Sequence, residues 1–542
     1  MSNENNPQSP ANFAPSAIPT YAQMPSLKPQ FQYTGRDAIL SAVMLLLGFM
    51  FMRCVFINTA GFFTSAFFIL LMVVCLIYLK HENVKLSFYC LTLCGVYFAF
   101  SLVFSITDND LIKSLDTVFL MLLGAYTVFA AANGREKPNR HFTFDILKSV
   151  FSVPFSGFGY ATKALKTGKK SGIRTVLLVI LGLIVTVPLT LIIFSLLSSA
   201  DESFGRVIGD FFENFDFNIV FVFELILAIP VGFYLFGLVF SNVKKIKANL
   251  ITDEWYDMRR ENMRFLPTVT AYAAVTPIVI LYIVFVFLQA DYFFSAFGGT
   301  LPAAFSYSEY ARQGFFELFR VAIINLFVIA ALTLFSKNRA DGKKPLALRI
   351  YTAVLAVLTL LILVTAFSKM ALYIKYCALT WKRVYVSWFL ILLAVFFIVI
   401  IIKQFREKLC IANVMSVVFT LLFAVLCFGN IDGQIARYNI WRFTEYGERV
   451  DLETLYQLSD DGWAVVLESE EFVGTDDQIT EESSGWAEIY CTNDYVSANW
   501  GDKDRLEALS NNRQQNNDYR YSYYNFSSLA VKSLTEKMSA GK

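Results

Sequence analysis

Long apolar runs separated by short polar ones occupy the chain from residue 37 to residue 428. They fall at about 37–57, 61–79, 86–105, 111–132, 173–198, 218–240, 267–289, 314–335, 347–367, 384–402 and 410–428. Each is close to the roughly 20 residues that a helix needs to cross ~30 Å of hydrocarbon. The pattern predicts an all-α polytopic membrane protein of about eleven transmembrane helices, followed by a small, mainly helical extracytoplasmic C-terminal domain. Within that domain Asp451 suits the cap of a helix through Leu452, Leu455 and Tyr456. A second helix is expected from about Ser527 through Leu529, Val531 and Leu534.

The resulting map has five parts: a disordered cytoplasmic tail (1–35), helices 1–4 (36–132), a basic amphipathic cytoplasmic segment (133–172), helices 5–11 (173–428) and an acidic extracytoplasmic region (429–542). Met1 to Gln32 is rich in Pro, Asn, Ser and Ala, which reads as a disordered tail rather than a signal peptide. Phe142 to Lys170 interleaves aromatic and aliphatic residues with Lys, and is expected to lie on the inner headgroup region. The Gly168-Lys169-Lys170-Ser171 run lacks the first glycine of a phosphate loop, where Lys163 stands instead.

Composition agrees with the map. The 542 residues are 56% hydrophobic, include 54 Phe and are only 17% charged, against about 25% in a soluble globular chain. The net charge of +2 conceals an asymmetry between the basic segment Arg135–Arg174 and an acidic C-terminal end. That acidic end argues against nucleic acid as a partner. The expected partners are the lipid bilayer and, through the C-terminal domain, other envelope proteins.

Lys and Arg in the short loops orient the chain. The segments after helices 4, 6 and 8 are rich in them, with Arg135, Lys148 and Lys170 in the first, Lys244, Arg259 and Arg264 in the second, and Lys337, Lys344 and Arg349 in the third. This side is then cytoplasmic, with the amino terminus inside and the C-terminal region outside. The acidic loops "TDND" (Thr107–Asp110) and Ser199–Asn218 fall on the other side. One loop dissents: Ser368–Arg383 carries Lys369, Lys375, Lys382 and Arg383 on the outer side. An interfacial helix with snorkelling lysines is the expectation there.

Charged residues inside spans are costly and usually face a bundle interior or water. Arg53 is near the outer end of helix 1. Asp116 is ~8 Å into helix 4, Glu224 is at a similar depth in helix 6, and Asp291 closes helix 7. Glu309 and Arg312 precede helix 8, and Glu317 and Arg320 lie inside it. Two readings stay open for Asp116, Glu224, Asp291, Glu309, Arg312, Glu317 and Arg320. They are structural pairs and interfacial charges, or they line an outward-opening polar vestibule. Glu317 and Arg320, three apart, can also satisfy each other.

Pro188, Pro230 and Pro277 each fall inside a span and free the carbonyls of Ile184, Ile226 and Ala273. Broken helices of this kind carry ion sites in secondary transporters, although Pro is also common in ordinary membrane helices. No catalytic, metal or cofactor-binding residues are assigned. The two His, His81 and His141, sit in inner loops, and "HENVK" lacks the second His of a zinc protease helix. Cys90 and Cys94 share a helix face without a His partner, which favours packing over metal binding.

The ordered motifs "SADESF", "EYARQGFFEL", "SKMALYIKYCALTWKRVYVSWF", "NIDGQIARYNI" and "DLETLYQLSDDG" resemble a bacterial multi-pass membrane family, domain of unknown function 4173, related to the 4153 group. The resemblance covers roughly Ser199 to Gly462. It implies class and bacterial plasma-membrane origin but no mechanism. Motif positions are Asp201, Glu309, Arg312, Glu317, Asn325, Tyr373, Asp432, Arg437, Tyr438 and Asn439.

Three functions compete. The first is a non-enzymatic sensor, assembly factor or scaffold, and the second a secondary transporter or ion pathway. The third is a glycosyl- or lipid-transfer enzyme. Such enzymes typically carry acids in the first outer loop, whereas Asp108 and Asp110 arrive one outer loop late.

Overall fold

A computed structural model describes residues 32–57, 60–138, 141–167, 219–246, 253–298, 315–337, 344–406, 409–446, 454–455, 457–469 and 524–540, with isolated helical positions at 186, 190, 193 and 197. Among the described residues there are helices and turns but no sheet; one isolated bridge joins Leu266 to Ser336. Among the described residues, ten helices are long and apolar enough to cross a membrane. The eleventh expected span, 173–198, lies essentially outside the described residues.

Helix α1 (Gly35–Phe51) starts with a capping box in which Asp37 accepts from the Thr34 N–H at 2.8 Å. The other oxygen of Asp37 accepts from the Tyr78 hydroxyl at 2.7 Å, which ties α1 to α2 (Phe62–His81). A π-helical turn, Met52–Ile57, extends α1. Next come α3 (Phe88–Ser101), the short α4 (Val103–Ile106) and α5 (Asp110–Ala132). The segment 142–167 forms α6 (Phe142–Leu147), a π-turn (Lys148–Ser152), α7 (Val153–Gly157) and α8 (Tyr160–Thr167).

The segment 142–167 joins the first helices of the bundle. It packs side-on to α1 and α9 (Ile219–Val243): the Ser41 hydroxyl donates to the Ala161 carbonyl at 3.2 Å, and the Tyr234 hydroxyl to the Val150 carbonyl at 2.9 Å. Glycines make this approach feasible. A Cβ on Gly157 would meet the Gly237 Cα at 2.7 Å, and one on Gly232 would meet the Leu45 Cα of α1 at 2.7 Å. Close contact through small residues is how membrane helices gain packing area.

The chain continues through α10 (Asp253–Asn262), α11 (Thr268–Gly298), α12 (Phe315–Phe335), α13 (Leu346–Cys377), α14 (Trp381–Phe405) and α15 (Ile411–Phe428). Three helices follow, α16 (Ile431–Tyr446), α17 (Asp460–Glu468) and α18 (Phe526–Ala540). The last includes the helix expected from Ser527.

Buried apolar side chains gather into two main clusters within the spans. One joins α1, α2, α3, α5 and α9 with the end of α15. The other joins α11, α12, α13 and α14. A third, smaller cluster holds α16, α17 and α18 against Leu379, Trp381 and Val384.

Helix α13 corrects one expectation. Its 32 residues rise ~48 Å, well past the expected end at 367, so Ser368–Cys377 continues the helix of that span and is not a separate helix. The basic residues of this region find local partners. Lys375 and Lys382 lie over the rings of Tyr376 and Trp381. Arg383 stacks 3.9 Å from the Tyr373 ring and donates to the Cys377 and Ala378 carbonyls. Ala378 turns the chain with φ +65°.

Candidate functional site

The ends of the bundle differ. At one end, here the basic end, Lys244 pairs with Glu82 at 2.8 Å and Arg135 with Asp145 at 3.3 Å. Lys344 sits there among Arg260, Arg264, Arg349 and Lys403. Burial first, and then these like charges, lower its pKa to about 8. The opposite end, the tail end, carries α16, α17 and α18, and it is there that buried polar groups concentrate.

That junction is built from four short pieces. The turn Thr107–Asp110 leads into α5, whose N-cap Asn109 accepts from the Ile112 N–H at 3.0 Å. Asn430, with φ +44°, turns the chain sharply from α15 into α16, placing Asp432 in the first turn of α16. Ser459 is the N-cap of α17, followed by Asp460 and Asp461. Acids suit that position because the helix dipole is positive there. Asn525 and Ser527 begin α18.

The pieces interlock through carboxylates. One oxygen of Asp432 accepts from Asn109 Nδ2 at 2.9 Å, from the Ser459 N–H at 3.0 Å and from the Ser459 hydroxyl at 2.6 Å. Asp461 accepts from the Asp108 N–H at 3.1 Å and from the hydroxyls of Thr107 and Ser527. Asp108 accepts from Asn525 Nδ2 at 2.8 Å and pairs with Lys113 Nζ at 2.9 Å. A backbone bond from the Phe62 N–H to the Tyr524 carbonyl (3.1 Å) and the edge-on rings of Phe62 and Phe526 fasten α18 to α2.

Asp432, Asp461 and Lys113 are all at least 95% buried. Of the three carboxylates, Asp108 pairs with the buried ammonium of Lys113, while Asp432 and Asp461 are held by hydroxyl, amide and backbone donors. Burial raises the pKa of Asp461. Hydrogen bonds from Ser527, Thr107 and the Asp108 N–H work against that rise, and the Asp108 charge adds to it. Among the described residues no group of three or more His, Cys, Asp or Glu is arranged to hold a metal ion. Chemically the arrangement is a clasp, which holds helices together through buried donors and acceptors.

The residues singled out in the spans are distributed as follows. Glu224, 3% exposed, pairs with Arg53 of the α1 extension at 3.0 Å. Asp116 is fully buried in α5, and neither of its carboxylate oxygens has a hydrogen-bond partner. Glu317 and Arg320 are exposed on α12; they form no ion pair with each other, and Glu317 acts electrostatically on Lys369 of α13. Asp291 belongs to α11. Asp201, Glu309 and Arg312 lie outside the described residues.

The motif positions bind neighbouring helices. Asn325, buried in α12, accepts from the Tyr282 hydroxyl at 2.8 Å and donates to the Thr359 hydroxyl at 2.9 Å, so it joins α11, α12 and α13. Asn439 holds both backbone groups of Leu379, in the turn between α13 and α14, at 3.0 and 2.8 Å. Tyr438 packs on Trp441, while Arg437 is exposed. Pro230 and Pro277 lie within continuous helices, so neither breaks its span; Pro188 is outside the described residues.

A family model described as Domain of unknown function (DUF4153) matches residues 68–468. The chain belongs to that family. The match starts inside α2 and ends with α17, so it takes in Asp108, Asp432 and Asp461 of the clasp. It is wider than the stretch that carries the motif resemblance, and it is to the 4153 group rather than the related 4173 group. No curated protein and no solved structure matches.

Lys113, Ser459, Asp461 and Asn525 are not among the residues singled out from sequence, and Ser527 is named there only as a helix start. The available signal was an N-cap residue beside an acid, in "TDND" before α5 and "SDDG" before α17.

Proposed function

We propose that this protein is a non-enzymatic sensor or assembly scaffold of the bacterial plasma membrane, whose clasped C-terminal domain faces the outside and meets partner proteins there. The observation that carries this reading is the buried clasp, which couples α16, α17 and α18 to the α4–α5 turn through Asp432 and Asp461. The Arg53–Glu224 pair, with Glu224 buried, supports it further. So do the unbroken helices at Pro230 and Pro277. The gathering of Lys and Arg at the basic end supports that end being cytoplasmic.

Two measurements test the reading together. In cells, a photocrosslinking residue at the exposed positions Arg437 or Trp441 should trap a discrete protein partner. The double variant Asp432→Ala, Asp461→Ala should still insert but lose that product. Ion or solute flux driven by the purified protein in vesicles, above that of empty vesicles, would overturn the proposal.

A further inference from the structure

A second feature lies deeper in the first helix cluster, away from the clasp. Between α2, α3, α5, α7 and α9 there is a cavity of about 380 Å³, with Phe67, Tyr97, Leu120, Phe155, Pro230 and Tyr234 among its walls. Its volume falls in the range of about 300–1,000 Å³ typical of ligand sites. Apolar cavities less than half as large, about 150 Å³, already take up small apolar molecules. Met121 and Phe155 line it and are 45% and 57% exposed, so the cavity reaches the outer surface of the helix cluster.

Asp116 is not part of the cavity wall; it is buried next to it, toward the tail side. It lies one helical turn from the lining residue Leu120, on the same face of α5, and within electrostatic reach of the Tyr97 hydroxyl and the Cys427 thiol. Both of its carboxylate oxygens are buried without a hydrogen-bond partner. The nearest lysine along the helix, Lys113, is engaged by Asp108 at 2.9 Å. A buried carboxylate that lacks both counter-charge and donors is costly, and a bound cation would supply both. The aromatic walls favour the same charge, because a ring face attracts a cation.

The geometry points to a binding site for a membrane-soluble amphiphile with one alkyl chain and an amine head, the chain in the aromatic cavity and the protonated amine on Asp116. Entry is lateral, past Met121 and Phe155. An anionic head of the same chain length is not expected to bind, because it offers Asp116 neither a counter-charge nor a donor.

The test uses the full-length protein in lipid nanodiscs and a long-chain alkylamine with a photoreactive group at the chain end. Labelling should be saturable, be competed by the unlabelled amine, and map to peptides around Phe155 and Val128, at the cavity end remote from Asp116. Asp116→Asn should weaken it by about tenfold or more, the equivalent of about 1.4 kcal/mol. Ala125→Phe, which fills the cavity, should abolish it. The matched alkyl carboxylate, applied to the unaltered protein, should not label, which keeps the test decisive if a variant fails to fold. Equal labelling by amine and carboxylate, non-saturable labelling, or labelling unchanged in a folded Asp116→Asn protein would each overturn the assignment.

Discussion

Asp461 is the carboxyl at which pH acts on the clasp. Its pKa is raised by burial, against the hydrogen bonds from Ser527, Thr107 and the Asp108 N–H. A carboxyl whose folded pKa exceeds its unfolded one holds its proton more tightly in the folded state, so stability falls as pH rises between the two values. Its contribution is therefore fully present below the unfolded value of about 4 and is lost as pH climbs through the raised folded value. Hydrogen-exchange protection factors at 107–113 and 525–528, corrected for the intrinsic pH dependence of amide exchange, should rise as pH falls from about 7 toward about 4, and Asp461→Asn should flatten that response. Protection that falls in acid would reverse the sign. At this scale some residues are legible in the sequence by motif, namely Asn325, Asp432 and Asn439. Their partners Thr359, Ser459 and Leu379 stand 34, 27 and 60 positions away and are not.

At the scale of elements, the crossing of α1 and α9 depends on bare backbone. A Cβ on Gly232 would meet the Leu45 Cα at 2.7 Å, so a larger side chain must push the helices apart. Gly232→Leu should destabilise the protein by about 1–3 kcal/mol through overpacking, read as a lower unfolding midpoint in matched detergent. An unchanged midpoint would show that the contact yields easily. Span positions were legible because apolar length is a direct requirement of the bilayer. The far end of α13 was not. Its last turns carry Lys369 and Lys375, which hydropathy assigns to a loop, whereas the helix continues through both, with Lys369 buried and Lys375 over the Tyr376 ring.

For the whole molecule, two helix clusters share α14 and α15 as a bridge, where Trp388 Nε1 donates to the Leu422 carbonyl at 2.9 Å. Tyr385 and Trp388 of α14 pack on the first cluster, while Leu390 and Phe397 belong to the second. The proposed orientation puts the C-terminal region outside, and Cys491 provides the handle to check it. In intact cells a membrane-impermeant maleimide should label Cys491. Reaction only after the membrane is opened would invert the topology and, with it, the side on which partners are sought.

The sequence by itself determined the helical class, the location of the ten described spans and the family. Hydrocarbon obliges each crossing segment to satisfy its own backbone hydrogen bonds over a fixed length, so these properties are written locally. Tertiary structure alone decided which charges meet. Spacing along one helix brings only residues three or four apart together. Arg53 and Glu224, by contrast, are separated by 171 positions and Thr107 and Asp461 by 354. Those meetings follow from how glycine-bared and aromatic helix faces fit against one another. The same fit leaves Asp116 buried without a donor, one helical turn from Leu120 in the wall of an apolar cavity.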